Sequence, residues 1–192
     1  MSGIIENYAV RDSKDKIGGL IMEFYDVLNK RYSCRNFQND KPIDLETLHK
    51  VFSAGNVAPT AHNLQECSTY VIQTPKLLEK VNNLTPCCYG APVILAVTYD
   101  KNRVFVYPGR HHHSGVEDAS IVATYMMLAA TNEGLSSCWI NKFDPEQMRD
   151  ALGLPNTEQL VLLLALGYEK KPAGPSIQHY IRKSVYETVI HL

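Results

Sequence analysis

Apolar positions along the chain repeat with two periods. Ile21, Phe24, Tyr25 and Leu28 recur at helical spacing and predict a helix over 20–29. Leu45, Leu48, Val51 and Phe52 do the same behind Asp44, an N-cap residue type, so a second helix reaches residue 54 and Gly55 ends it. The β-rich run Ser68, Thr69, Tyr70, Val71, Ile72 predicts a strand, and Pro75 opens a short helix to residue 82. Residues 92–99 and 160–166 are near-continuous apolar runs, the pattern of strands covered on both faces. Residues 103–107 read as a short strand, 136–141 as another, and 186–190 as a last strand or an arm. The longest helix spans 115–133, with Ser114 and Glu117 as a capping box and Gly134 at the stop position. A second capping-box pattern, Asp144 to Gln147 with Pro145 at the first helical position, opens a helix to residue 152.

The helix over 115–133 is unusual. Ile121, Val122, Ala123, Tyr125, Met126, Met127, Leu128, Ala129 and Ala130 leave almost no polar stripe. A helix apolar nearly all round is buried all round, which in a chain of 192 residues means a central core helix or a subunit interface. Helices and strands interleave without strict alternation, so the predicted class is a three-layer α/β or α+β domain around one sheet. Residues 1–19 are polar and form an N-terminal extension, expected to be loosely ordered, ahead of a domain over 20–192.

Charge narrows the function. The net charge of −1 lacks the basic excess of a nucleic-acid binder or of a surface that holds anionic membranes. No window reaches the roughly 18 apolar residues of a membrane span, and the N-terminus carries no signal-type apolar stretch. The expected location is the cytoplasm. Five cysteines, Cys34, Cys67, Cys87, Cys88 and Cys138, an odd number, read as free thiols there. No Cys-x-x-Cys pair, Walker sequence, glycine-rich dinucleotide fingerprint or serine nucleophile elbow is present. His111, His112 and His113 are consecutive, a spacing that rarely aims three rings at one metal ion, so no metal is expected.

Four separated segments carry chemistry. The first holds Arg31, Tyr32, Ser33 and Arg35 just after a helix, a donor set suited to a small anion. The second holds Pro59, Thr60, Ala61, Asn63 and Gln65, with an amide able to donate and accept at once. The third holds Trp139, Ile140, Asn141 and Lys142 at a strand end, and the fourth is Arg182. Taken singly, each of the first three has a plain alternative: a solvated basic turn, a polar turn, a core aromatic.

Together and in this order, the four segments resemble the FMN-binding segments of the nitroreductase family. That resemblance spans about residues 20–192. It implies an α+β three-layer sandwich with a central mixed sheet, helices on both faces, and two subunits interlocked as a homodimer with FMN in the groove between them. It implies that Arg31, Ser33, Arg35 and Arg182 meet the phosphate and flavin, with Tyr32 contributing its backbone. Pro59, Thr60, Ala61 and Asn63 reach the flavin from the neighbouring subunit, with Gln65 supporting the loop, and the backbone of Trp139, Ile140, Asn141 and Lys142 faces flavin N5. NADH or NADPH would deliver a hydride to N5 and a small planar electron-poor acceptor, a nitroaromatic or quinone, would then take it in a ping-pong cycle. No side chain is expected to be an obligatory catalytic acid or base, because the flavin carries the chemistry. The sequence departs from the family after Gln65, where Glu66 and Cys67 replace a proline and an aromatic. Specialised relatives (enone reductases, dehalogenases, flavin-fragmenting enzymes) remain alternatives, with residues 99–113 as their lid, and so does a flavin-binding redox sensor or carrier without turnover.

Overall fold

The computed structural model describes residues 23–192, so Ile21 and the N-terminal extension lie outside the described residues. Among the described residues four strands build the sheet: β1 (Cys67–Ile72), β2 (Val93–Asp100), β3 (Ser136–Ile140) and β4 (Glu158–Gly167), in the order β1-β2-β4-β3. All three pairings are antiparallel. The mixed sheet implied by the family resemblance therefore reduces here to four antiparallel strands and one parallel bridge, Ser33 to Ser137.

The two central strands explain the apolar runs. Along β2, Val93, Leu95 and Val97 face one layer while Ile94 and Ala96 face the other. Along β4, Leu162, Leu164 and Leu166 alternate in the same way with Leu163 and Ala165, as the two-residue period of a strand requires. The first face is covered by α2 (Leu45–Asn56) and α4 (Gly115–Asn132), the second by α3 (Pro75–Leu84) and α5 (Pro145–Leu152). A short α1 (Phe24–Lys30) and a terminal α6 (Val185–Thr188) complete the described helices. Between Val97 and Thr98 the β2–β4 register slips: Val97 faces Leu162 and Thr98 faces Leu160. Val161 is the extra residue of that bulge.

Several local expectations change. Ser114 does not cap α4 with its side chain; its backbone is helical, and its Oγ instead accepts the Phe105 N–H at 3.2 Å. Glu117, the supposed partner in the box, accepts the Tyr107 hydroxyl. Gly134 does stop the helix, at φ 77°, with Gly134 N–H on Thr131 O and Leu135 N–H on Ala130 O, a Schellman closure. Gly55 lies inside α2 rather than beyond it: a Cβ there would come 2.8 Å from Met126 Cγ, so its smallness serves the α2–α4 contact. Residues 103–107 form no strand. They enter a hairpin closed by one bridge, Val106 to His113, with Gly109 and Arg110 in the left-handed region. Residues 186–190 are likewise not a strand: they span the end of α6 and the two residues after it, and α6 carries a complete Ser184–Glu187 capping box.

One glycine sets how close α4 approaches the sheet. A Cβ on Gly115 would sit 2.5 Å from two ring carbons of the buried Tyr99. A planar ring on a central strand cannot yield as a flexible chain can. Gly115→Ala should therefore lower stability by about 1–3 kcal/mol, the usual range for overpacking. Urea unfolding followed by circular dichroism would measure it, and an unchanged midpoint would mean that the ring has room to move.

Candidate functional site

The site begins where the chain leaves α1. Arg31 caps the C-terminal end of that helix, half-buried, and no carboxylate pairs with it among the described residues. A cation is favoured at this helix end. The next residues are laced to the sheet on both sides. Cys34 N–H donates to Ser137 O at 2.8 Å, Gln38 N–H to Tyr168 O at 2.9 Å, and Lys170 N–H to Asn36 O at 2.9 Å. Ser33 is thus held against the start of β3. The Tyr32 hydroxyl donates to Glu169; burial first, and that carboxylate second, push its pKa well up, so the phenol stays neutral. Arg35 is exposed and faces the Tyr89 hydroxyl.

At the far end of β3, Ile140 is buried in the core facing α3 and α5, and Lys142 is exposed. Trp139 is half-buried and its ring N–H donates to Asn141 Oδ1. Asn141 Nδ2 in turn donates to Val161 O at 2.9 Å. The β4 bulge therefore orients the strand end, because Val161, the extra residue, is the one whose carbonyl Asn141 takes. The first and third segments are in this way fixed on one strand, Ser33 beside its beginning and Asn141 just past its end.

The second segment sits elsewhere. Residues 61–63 make a single 3-10 turn, and His62, Asn63 and Gln65 all have positive φ, 53°, 54° and 50°. Asn tolerates that region; His and Gln do so at a cost. The loop is held by its own bonds and by neighbours. Gln65 N–H donates to Thr60 Oγ1 at 3.0 Å, Gln65 Nε2 to Asn63 O at 3.4 Å, and Ala61 N–H to Asp118 Oδ1 at 3.0 Å. Arg103 donates to Leu64 O at 3.1 Å, and the His62 ring lies 4.4 Å from that of Phe105. Pro59 and Asn63 are exposed. Thr60 and Gln65 border a cavity of about 410 Å³ that also meets Phe52, Cys67, Val122 and Met126.

Arg182 is exposed, and among the described residues its guanidinium donates only to Gln178 O and Ile181 O of its own arm. Among the described residues, no hydrogen bond, ion pair or bridge joins residues 58–65 or Arg182 to residues 31–35. One chain thus assembles half of the expected anchor set. The other half points outward, on a loop and an arm.

An acidic pair beneath the loop carries no signal in the sequence. Beneath the loop, Glu66 and Asp118 are only 2% and 4% exposed. Burial first, then the contact with Asp118, raises the Glu66 pKa to about 6. The acid directly after the loop was visible as a departure, but its partner, 52 positions later, was not. In the hairpin at 105–113, part of the stretch considered as a lid, His113 Nδ1 accepts the Gly115 N–H at 3.3 Å and its ring lies 5.5 Å from Tyr99, while His111 and His112 are exposed. The thiols behave as core residues. Cys34, Cys88 and Cys138 are buried, and burial pushes the thiols of Cys88 and Cys138 to about 11 and of Cys67 to about 12, so these three hold no thiolate at neutral pH.

The result is an α+β sandwich in which the turn carrying Arg31 and Ser33 lies beside the edge strand β3, while the 58–65 loop and Arg182 lie apart from it. The chain matches the nitroreductase family over residues 28–88 and 83–168 and belongs to that family. A nitroreductase family protein of Clostridium difficile is 34% identical, with a TM-score of 0.81 covering 88% of this chain and 98% of that one. An FMN-dependent nitroreductase of the same organism is 26% identical, with a TM-score of 0.68 over 86% and 96% of the two chains. An NADH dehydrogenase of Thermus thermophilus is 26% identical over 77% of this chain and 87% of its own length. No helix among the described residues is long and apolar enough to cross a membrane.

Proposed function

We propose that this chain is an FMN-dependent oxidoreductase that works as a homodimer, draws on NADH or NADPH, and reduces small planar electron-poor acceptors such as nitroaromatics or quinones. The observation that carries the reading is the half-buried Arg31 guanidinium, without a carboxylate among the described residues and set two residues from Ser33, itself bridged to β3. A phosphate monoester carries close to two negative charges and favours such a planar donor. The residues present fit the group. Arg31 and Ser33 would hold the phosphate with Arg35 beside them, and the backbone that runs from Trp139 to Lys142 would border the ring. Bound FMN supplies a two-electron carrier between pyridine nucleotide and acceptor. The protein's own part is to orient, to neutralise the phosphate and to exclude water.

The dimer reading rests on surface that a lone chain leaves wet. Val116 and Tyr125 on α4 are exposed, and Ile121 and Leu128 on the same helix are half-buried. Phe24 and Tyr25 on α1, and Ile177, Tyr180, Ile181, Tyr186 and Ile190 on the C-terminal arm, are exposed as well. Such an area of apolar surface is the mark of an interface. It reconciles the sequence of α4, apolar all round, with a structure that buries only one side of it. A second subunit would also supply the loop at 58–65 and complete the anchor set.

The purified protein is expected to be yellow or to become so with added FMN. Its bound flavin should bleach within seconds under anaerobic NADH or NADPH and recover its colour with a quinone. A protein that takes up no FMN overturns the cofactor assignment. Bound flavin that neither nucleotide bleaches leaves a carrier, not an enzyme.

A further inference from the structure

Glu66 ends the 58–65 loop and leads into β1; Asp118 stands in the first turn of α4. The two carboxyls meet between layers of the fold. Ala61 N–H occupies Asp118 Oδ1 at 3.0 Å. The other three oxygens, Glu66 Oε1 and Oε2 and Asp118 Oδ2, are buried with no donor. Both groups cannot be ionised there without a large cost, since two like charges would share a dry site. One proton between them removes the repulsion and supplies the missing donor.

We propose that Glu66 and Asp118 are positioning residues that share one proton, and that this proton holds the loop at 58–65 in the shape it presents to the flavin. The proton resides on Glu66. Asp118 Oδ1 already accepts a backbone N–H in the first turn of an 18-residue helix, whereas neither Glu66 oxygen has a donor. Protonated Glu66 donates to Asp118 Oδ2, and Asp118 in turn keeps its hold on Ala61, in the middle of the strained turn. The anchor is rigid at the Glu66 end too, because Glu66 O accepts the Asp100 N–H of β2 at 3.0 Å.

Other charges around the pair do not replace this proton. Arg103 favours ionised Glu66, but its guanidinium is committed to Leu64 O at 3.1 Å on the same loop. Cys67 on β1 is a neutral thiol. Glu158 on β4 is a third buried acid and accepts the Thr98 hydroxyl. Glu117 beside Asp118 is bonded to the Tyr107 hydroxyl. His62 in the loop and His113 at the mouth of α4 are imidazoles, a side-chain type that changes charge in the neighbouring pH range. Any test has to separate them from Glu66.

The sign comes from linkage. A carboxyl whose pKa rises on folding stabilises the folded form fully below its ordinary value of 4.5, and that contribution disappears as pH rises through about 6. The loop should therefore be tightest in mild acid and loosen toward neutrality.

Hydrogen exchange of the Ala61 amide in the flavin-free protein reads this directly. After correction for intrinsic rates, protection in the wild type should fall several-fold between pH 5 and 7.5, with a ceiling of about thirtyfold set by a shift of roughly 1.5 pH units. In Glu66→Gln the amide still donates but cannot titrate, so protection should stay flat. If Glu66→Gln does not fold, Asp118→Asn keeps an acceptor for the Ala61 N–H and leaves Glu66 buried but removes the charge it meets, so protection should fall less steeply with pH than in the wild type, and an equal slope overturns the proposal. A flat wild-type profile overturns the proposal, and so does a Glu66→Gln slope equal to the wild type, which would assign the effect to the imidazoles. The loop's assignment to the flavin rests on the FMN reading; the shared proton does not. FMN affinity measured over the same pH range separates the two. Protection that behaves as stated in a protein that never binds FMN supports the proton pair and removes the cofactor.

Discussion

Arg31→Ala protein should emerge from purification with its FMN largely lost while its fold stays intact. A hydrogen bond to a charged group is worth about 1.5–3 kcal/mol, so the FMN dissociation constant should rise roughly 10- to 150-fold. The structure makes this a clean experiment. Arg31 has no carboxylate to orphan among the described residues, and it sits at a helix end rather than in either core cluster. Thermal unfolding of the flavin-free variant should stay close to that of the wild type. Arg31→Lys should recover only part of the affinity, because an ammonium lacks the fork that two phosphate oxygens accept. Quenching of FMN fluorescence on titration gives the constants. Equal affinity in wild type and Arg31→Ala would remove this residue from the phosphate site.

Tyr125→Asp should convert the proposed dimer to monomers and release the flavin in the same step. Tyr125 is 39% exposed on the outer side of α4, so one chain alone gives it little to lose on substitution. In an interface the same ring would be an anchor, and loss of such a residue commonly costs about 2 kcal/mol or more. The new carboxylate adds the penalty of a buried, unpaired charge. Multi-angle light scattering at micromolar concentration should then report half the mass, with far-ultraviolet circular dichroism unchanged. FMN should be lost together with the partner, since the loop at 58–65 would no longer reach it. A variant that stays dimeric would move the interface elsewhere. One that becomes monomeric yet keeps its flavin would place the whole cofactor site within a single chain.

The two substitutions probe properties of different legibility. The proposed role of Arg31 and Ser33 rests on residue types alone, because a phosphate demands particular donors. The proposed interface has its first support in composition: α4 has apolar residues on every side, and a helix must bury what water rejects. What the pattern could not say is which side would be covered by the chain's own sheet. The structure answers with Ala119, Val122, Ala123 and Met126 inward, leaving Val116 and Tyr125 out.

Local signals failed where tertiary contacts offered a better bond. Ser114 and Glu117 have the spacing of a capping box, yet Phe105 N–H and the Tyr107 hydroxyl claim them from the neighbouring hairpin. Gly55 looked like a helix stop and is a contact point, because Met126 presses where a Cβ would stand. Residues 103–107 have strand propensity, but only Val106 forms a β-bridge. A single bridge does not make a strand.

The linear chain by itself determined whatever depends on backbone period and on a residue's own chemistry: the alternating faces of β2 and β4, the Asp44 and Asp144 caps, the Gly134 stop, and the donor types in the four anchor segments. These are fixed by neighbours within a few positions, which always travel together. Tertiary structure alone decided what distance along the chain conceals. It set the bulge at Val161 that turns Asn141, the joining of Ser33 to Ser137, the outward aim of the 58–65 loop, and the meeting of Glu66 with Asp118. Such pairs exist only after packing has chosen one arrangement of layers, because no local rule relates two residues that are strangers until the core closes between them.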